Sequence, residues 1–226
     1  MRYALLFAAL AAALLPSSAQ AELVLSQLVV ELHPGKVSRQ DIEVWNNDTE
    51  RAYVAVEPRQ IVQPGQPAEK RMEDPDPEKL GLLVSPVRMV LEPGQRKLLR
   101  FADILPPSER ERVYRVTVKP VVGALTSNQS GLKVLVGYDA LVLVRPAKPL
   151  EGVSAVRTGR KLTWRNDGNI SVELTEGKQC DTAGMNCIDL PGKRLYAGAS
   201  WTVDLKSDAP ADYSVRSPLG ISKKRL

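Results

Sequence analysis

The sequence predicts an all-β protein built as two β-sandwich domains, and three observations carry that expectation. Short runs rich in Val, Ile, Leu and Thr are broken repeatedly by Pro, Gly and Asn/Asp turns. No stretch shows the 3.6-residue apolar period of a long amphipathic helix. The strand pattern also restarts after the proline-rich stretch "RPAKPLEG" at 145–152. Seven or so closely spaced short strands in the first part fit an antiparallel sandwich.

The chain has 226 residues, and its start reads as a targeting segment. Met1-Arg2 is a short basic start, residues 3–15 are an apolar run, and Ala19 and Ala21 are small residues at a cleavage-type spacing. Residues 1–21 are therefore expected to be a signal peptide, too short in its apolar run to span a bilayer. The exported chain would hold 226 − 21 = 205 residues, enough for two domains of about 100 each. No later stretch approaches the roughly 18 apolar residues of a spanning helix, so no membrane insertion is expected.

Strands are expected at 23–32, 38–46, 52–61, 87–91, 96–101 and 112–121, with turns at His33-Pro34-Gly35, Asn46-Asn47-Asp48 and Glu92-Pro93-Gly94. The polar, proline-rich stretch 64–79 reads as a surface loop. "SGLKVLVGYDALVLVRP" (130–146) is the most apolar strand of the exported part: it alternates at first, then is apolar on both faces from Ala140 to Val144. One alternating face normally meets water, so this run poses the question of what covers both. The first domain is placed at 22–147. After a short, stiff joint, strands at 161–166, 171–177, 198–205 and 211–217 form a second domain, 150–226.

Composition excludes several function classes. Removing Arg2 with the signal leaves 30 basic and 26 acidic residues, net +4, scattered and not interleaved with aromatics, so nothing points to nucleic acid. The cluster Lys223, Lys224 and Arg225 reads as a solvated end. Cys180 and Cys187 form a close pair, which in an exported chain reads as a structural disulfide worth about 2.5 kcal/mol of loop entropy. His33 is the only histidine and no G-x-S-x-G elbow occurs, so neither a triad, a metal site nor a cofactor is expected. The triplets beginning at Asn47, Asn128 and Asn169 mark surface turns. A rival reading, an exported β-sandwich that binds carbohydrate, lacks aromatic support: aromatics are 5% of the chain, and Trp45, Trp164 and Trp201 are expected in core strands.

Three segments together resemble the periplasmic pilus-assembly chaperones of the PapD-like family. They are "LLVSPVRMVLEPGQRKLLRF" (82–101), "ERVYRVTVKPV" (111–121) and "LKVLVGYDALVLVRPAKP" (132–149), with "ADYSVRSPLG" (211–220) as a closing segment. The resemblance implies two immunoglobulin-like β-sandwich domains set at an angle and a non-enzymatic periplasmic chaperone of fimbrium biogenesis. Its partners would be pilin subunits lacking a final strand and an outer-membrane usher, with self-association when no subunit is bound. By strand addition, Leu132, Val134 and Val136 would be donated into the subunit groove. A buried charge cluster at the domain joint would comprise Glu111, Arg145 and Asp212. The family's carboxylate anchor, an arginine on the first strand and a lysine on the donor strand, is replaced here. Leu141 stands at the lysine position and the first strand has no basic residue, which leaves Arg100 as the candidate and points to a divergent, alternative branch.

Overall fold

The computed structural model describes residues 23–35, 38–121, 135–181 and 184–226. The signal segment and two of the three expected donor residues, Leu132 and Val134, lie outside the described residues. Eighteen strands and one helical turn are present among them.

The first sandwich is built from β1 (Leu23–Leu25), β2 (Val29–Leu32), β3 (Arg39–Asn46), β4 (Ala52–Val62), β5 (Lys70–Met72), α1 (Pro77–Leu80), β6 (Leu82–Ser85), β7 (Arg88–Leu91), β8 (Arg96–Asp103), β9 (Arg112–Pro120) and β10 (Tyr138–Val144). One sheet runs β1-β3-β8-β6 and the other β2-β10-β9-β4, with β5 and β7 both on the far side of β4. The expected strand at 23–32 is thus two strands: β1 pairs with β3 in one sheet, and β2 pairs parallel to β10 in the other. Pro58 shows why β4 tolerates a proline. On its open side β7 covers Ala52–Ala55 and β5 covers Gln60–Val62, so Pro58 falls in the gap where no N–H is needed. The expected surface loop at 64–79 contains structure: Asp76 accepts from the Glu78 N–H (3.0 Å) to cap α1, and α1 carries Leu80 into the core.

The second sandwich comprises β11 (Val153–Thr158), β12 (Lys161–Asn166), β13 (Val172–Gln179), β14 (Ile188–Asp189), β15 (Lys193–Leu195), β16 (Ser200–Asp204), β17 (Ala211–Ser217) and β18 (Gly220–Arg225). Its sheets are β11-β12-β16 and a second in which β13 joins β14, β15 and β17, with β18 at the edge. The basic cluster 223–225, expected as a loose end, is this edge strand. Lysines on an edge oppose pairing with a foreign strand. Cys180 and Cys187 form the expected disulfide, Sγ–Sγ 2.04 Å, between β13 and β14.

Among the described residues no strand pair joins the two sandwiches, and each has its own core. Leu82, Leu99, Phe101, Tyr114 and Val142 fill the first, and Trp164 lies edge-on to Tyr213 in the second, with centroids 5.2 Å apart. Trp201 packs against that second core, but Trp45 corrects the expectation. It is half-buried on the outer face of β3, beneath the Arg96 guanidinium at 4.8 Å.

The two units share one turn device. Buried Asn46 donates to the carbonyls of Glu50 (2.6 Å) and Leu91 (3.2 Å) and accepts from the Asp48 N–H (3.0 Å). Buried Asn166 donates to Ile170 (2.8 Å) and Leu195 (3.0 Å) and accepts from the Gly168 N–H (3.0 Å). Each asparagine satisfies three backbone groups that a loop would otherwise bury unpaired.

Candidate functional site at the joint of the two sandwiches

Strand β10 is the element from which the site is built. Its even-numbered residues Ala140, Val142 and Val144 are buried on the inner side, where Val142 and Val144 join the first core. Its odd-numbered residues Leu141 and Leu143 are also buried, but on the outer face, in a cluster with Ile61, Val113 and the second sandwich's Tyr196. The next outward residue is Arg145, whose N–H continues the ladder to Leu32 O (2.8 Å). Alternation by two thus delivers core, partner sandwich and charge from one strand.

Arg145 is 4% exposed and is held by carboxylates from two directions. Its guanidinium pairs with Glu111, itself 2% exposed, and reaches Glu31 on β2 at 2.8 Å (Nη2–Oε1). Nη1 also lies 3.4 Å from Ser171 Oγ of the second sandwich, and the Ser171 N–H donates to Glu111 Oε2 (3.3 Å). The structure therefore brings Glu111 and Arg145 together as expected and corrects the third member. Asp212 is half exposed on β17, paired at 4.0 Å with Arg225 of β18. It lies four residues up the strand from Arg216, which lines the cleft beside Arg145, a rise of about 13 Å that no side chain spans. Glu31 takes the expected aspartate's place.

Beside this cluster a cleft of about 260 Å³ separates the sandwiches, lined by Val29 and Glu31 from the first and Glu173, Arg194 and Arg216 from the second. Arg194, Glu173 and Arg216 stand directly opposite one another across β15, β13 and β17, and Arg194 pairs with Glu173. Polar phase in the sequence marks each of these residues, but only strand register shows that they form a row.

The turn at 166–171 completes the joint. Asn169, expected only as a surface turn, donates through Nδ2 to the carbonyls of Glu109 (2.8 Å) and Lys148 (2.9 Å). Its Oδ1 accepts from Leu150 N–H (2.6 Å).

Of the remaining expected site residues, Val136 precedes β10 and is 57% exposed. Gly137 follows it where the backbone passes close over β9: a Cβ there would lie 2.9 Å from Lys119 Cβ and 3.2 Å from Val118 O. Arg100 is corrected. It lies on β8, in the sheet opposite β10, and is engaged with Asp41 through Nε–Oδ1 (2.8 Å) and Nη2–Oδ2 (2.7 Å). Arg100's hydrogen bonds hold the Asp41 carboxyl below its ordinary range. The cation nearest Leu141 in register is instead Arg115, directly opposite on β9, with Arg59 opposite it on β4. Arg115 donates only to a backbone carbonyl, Asp139 O at 3.3 Å, while Arg59 is taken up by Glu57 and Glu73. Among the described residues no cluster of metal-ligating side chains occurs.

This fold and this joint have counterparts among known proteins. The model of the pili and flagellar-assembly chaperone family, PapD N-terminal domain, matches residues 22–149. The chain is 26% identical over 202 residues to one of the CS1 fimbrial subunits of Escherichia coli, covering 83% of this chain and 82% of that protein. Among solved structures, the class 5 fimbriae chaperone CfaA is similar with a TM-score of 0.63 and 21% identity, over 90% of this chain and 98% of that one. The SafB chaperone in complex with the Salmonella enterica SafA pilin gives a TM-score of 0.63 at 16% identity, over 93% and 98%. At these identities the structural likenesses show the fold, two immunoglobulin-like sandwiches.

The joint can be tested by substitution and by pH. Arg145→Ala leaves Glu111 buried without its cation and should cost about 3–5 kcal/mol in urea unfolding. Asp212→Ala should stay within about 0.5 kcal/mol of wild type; the reverse order would reinstate Asp212 in the cluster. Burial raises the Glu111 pKa above its ordinary 4.5, outweighing the attraction of Arg145. The folded chain then binds that proton more tightly than the unfolded chain. Its stabilising contribution is present in full below 4.5 and is lost as pH rises through the folded value. Glu111→Gln should remove this component from the pH dependence of stability, and an unchanged profile would contradict the assignment.

Proposed function

The chain belongs to the pili and flagellar-assembly chaperone family, and from that premise we propose that it is a periplasmic chaperone that caps fimbrial subunits with a donated strand and delivers them to an outer-membrane usher. The observation that carries the reading is Val136. It continues the inward row Val144, Val142, Ala140, Tyr138 by two residues, yet it is exposed where that row leaves its own core. Leu132 and Val134 extend the same alternation in the sequence.

A pilin that lacks a strand exposes unpaired backbone groups and an apolar groove at once. A lent strand answers both, with main-chain bonds for affinity and alternating side chains for fit. Fully burying a valine contributes about 1.5–3 kcal/mol before ordering costs, so three such residues outweigh a single surface contact.

The pilin carboxylate, in this reading, is received by Arg115. Leu141 cannot supply the charge, whereas Arg115 faces the same side one strand away and, among the described residues, has no carboxylate partner of its own. Usher docking is supported by an exposed apolar patch at one end of the same sheet. Tyr53 and Val90 are directly opposite on β4 and β7, and the Val121 N–H donates to Tyr53 O (2.7 Å). When no pilin is bound, the exposed row at Val136 would be covered by a second copy of the chain. The disulfide suits the oxidising periplasm.

Co-expression with the pilin of the same gene neighbourhood tests this. Wild type should keep the pilin soluble and co-purify with it, while Val134→Asp with Val136→Asp should lose it and Arg115→Ala should weaken it. Soluble pilin with the double aspartate variant would contradict strand donation.

A further inference from the structure

The ring of Tyr196 belongs to both sandwiches. It extends from the turn between β15 and β16, packs against the second core, and also packs on Ile61, Val113, Leu141 and Leu143 of the first. The turn that presents it is fixed by Asn166, whose N–H donates to Ala199 O (3.1 Å) and whose carbonyl accepts from Gly198 N–H (2.7 Å).

A strap from the first sandwich closes over the ring. Residues 63–69 are held by their own bonds: Gln66 N–H to Gln63 O (3.2 Å), Glu69 N–H to Gln66 O (3.0 Å) and Gly65 N–H to Glu69 Oε2 (2.7 Å). Gly65 has φ of 71°, and a Cβ on it would lie 3.1 Å from Tyr196 Cδ2, so only glycine fits between strap and ring. The ring is thus a plug in a socket, with an apolar floor and a glycine wall. Arg115, Arg194, Glu111 and Glu69 are the charged groups close enough to act on its hydroxyl.

This places one side chain of the second sandwich against the root of the lent strand and beside the cation offered for the pilin carboxylate. We propose that Tyr196 is a positioning residue for pilin capture: seated in its socket, it holds β10 at Leu141–Leu143, and Arg115 beside it, in the geometry that the pilin meets. An ordinary interdomain contact would only add stability. A positioning contact also sets affinity at temperatures where every variant is folded. The capture half of the inference rests on the chaperone reading; the plug itself does not.

The test compares Tyr196→Ser, Tyr196→Phe and, as a stability control, Val203→Ala, which removes core volume far from the socket. Each full chain is first shown to be folded by near-ultraviolet circular dichroism. Solution scattering and amide exchange at Leu141–Leu143 are then measured on the free chain, and affinity for the neighbouring-gene pilin by titration. Tyr196→Ser should change the scattering profile, speed exchange at Leu141–Leu143 and weaken pilin binding about tenfold. Tyr196→Phe should restore all three to within about twofold, and Val203→Ala should lower the melting temperature without moving them. A folded Tyr196→Ser chain with wild-type scattering and exchange overturns the plug. Altered scattering with wild-type pilin affinity overturns the positioning role. If wild type itself fails to bind the pilin, the chaperone reading falls, and scattering and exchange still decide whether Tyr196 sets the joint.

Discussion

A strand with period-two alternation has two faces, and in β10 both must be covered. The inner face is covered by the opposing sheet of the first sandwich. Covering the outer face at Leu141 and Leu143 requires a second body, and the Tyr196 ring supplies it. Once that contact is made, the next outward residue, Arg145, falls at the joint and must be neutralised there. Glu111 and Glu31 do so, and Ser171 and Asn169 close the seam with hydrogen bonds. Toward the start of β10 the same outer face reaches Asp139 and lies open, and the inner row passes beyond its core at Val136. The strand is therefore closed at one end by its own protein and left available at the other.

The joint divides its work between two kinds of interaction. Buried ion pairs contribute little net stability, because desolvation offsets most of the attraction, but they tolerate few alternative arrangements. Glu111 shows that balance directly, since burial raises its pKa although Arg145 is beside it. The apolar plug is the stabilising partner, being non-directional and favourable wherever it fits. The polar cluster then selects one seating among those the plug would accept.

Much of this was legible in the sequence, for reasons that differ by element. Strands with clean alternation, such as β3, β8 and β9, were visible because burial on one face writes itself into every second residue. The double burial of 140–144 was visible as well, and Glu111 with Arg145 followed from the motif order. What escaped depended on register between distant segments. Glu31 reaches Arg145 because β2 pairs parallel to β10, and nothing local to either strand announces that pairing. Asp212 looked suitable by motif and is about four residues too far along β17. Arg100 looked available but belongs to the opposite sheet, where Asp41 is its partner. Tyr196 carried only a weak signal, an aromatic in a Gly-containing turn, and its role appears once Gly65 is seen against its ring.

If β10 has one end fixed in its own protein and the other end free for a partner, the two ends must differ in backbone protection. Amide hydrogen exchange resolved by residue measures this directly, in the free chain and after addition of pilin. Slow exchange is expected across Ala140–Val144 in both states. At Leu135–Gly137 exchange should be fast in the free chain and become slow in the complex. Fast exchange at Leu135–Gly137 in both states, with a stable pilin complex present, would contradict the division of the strand.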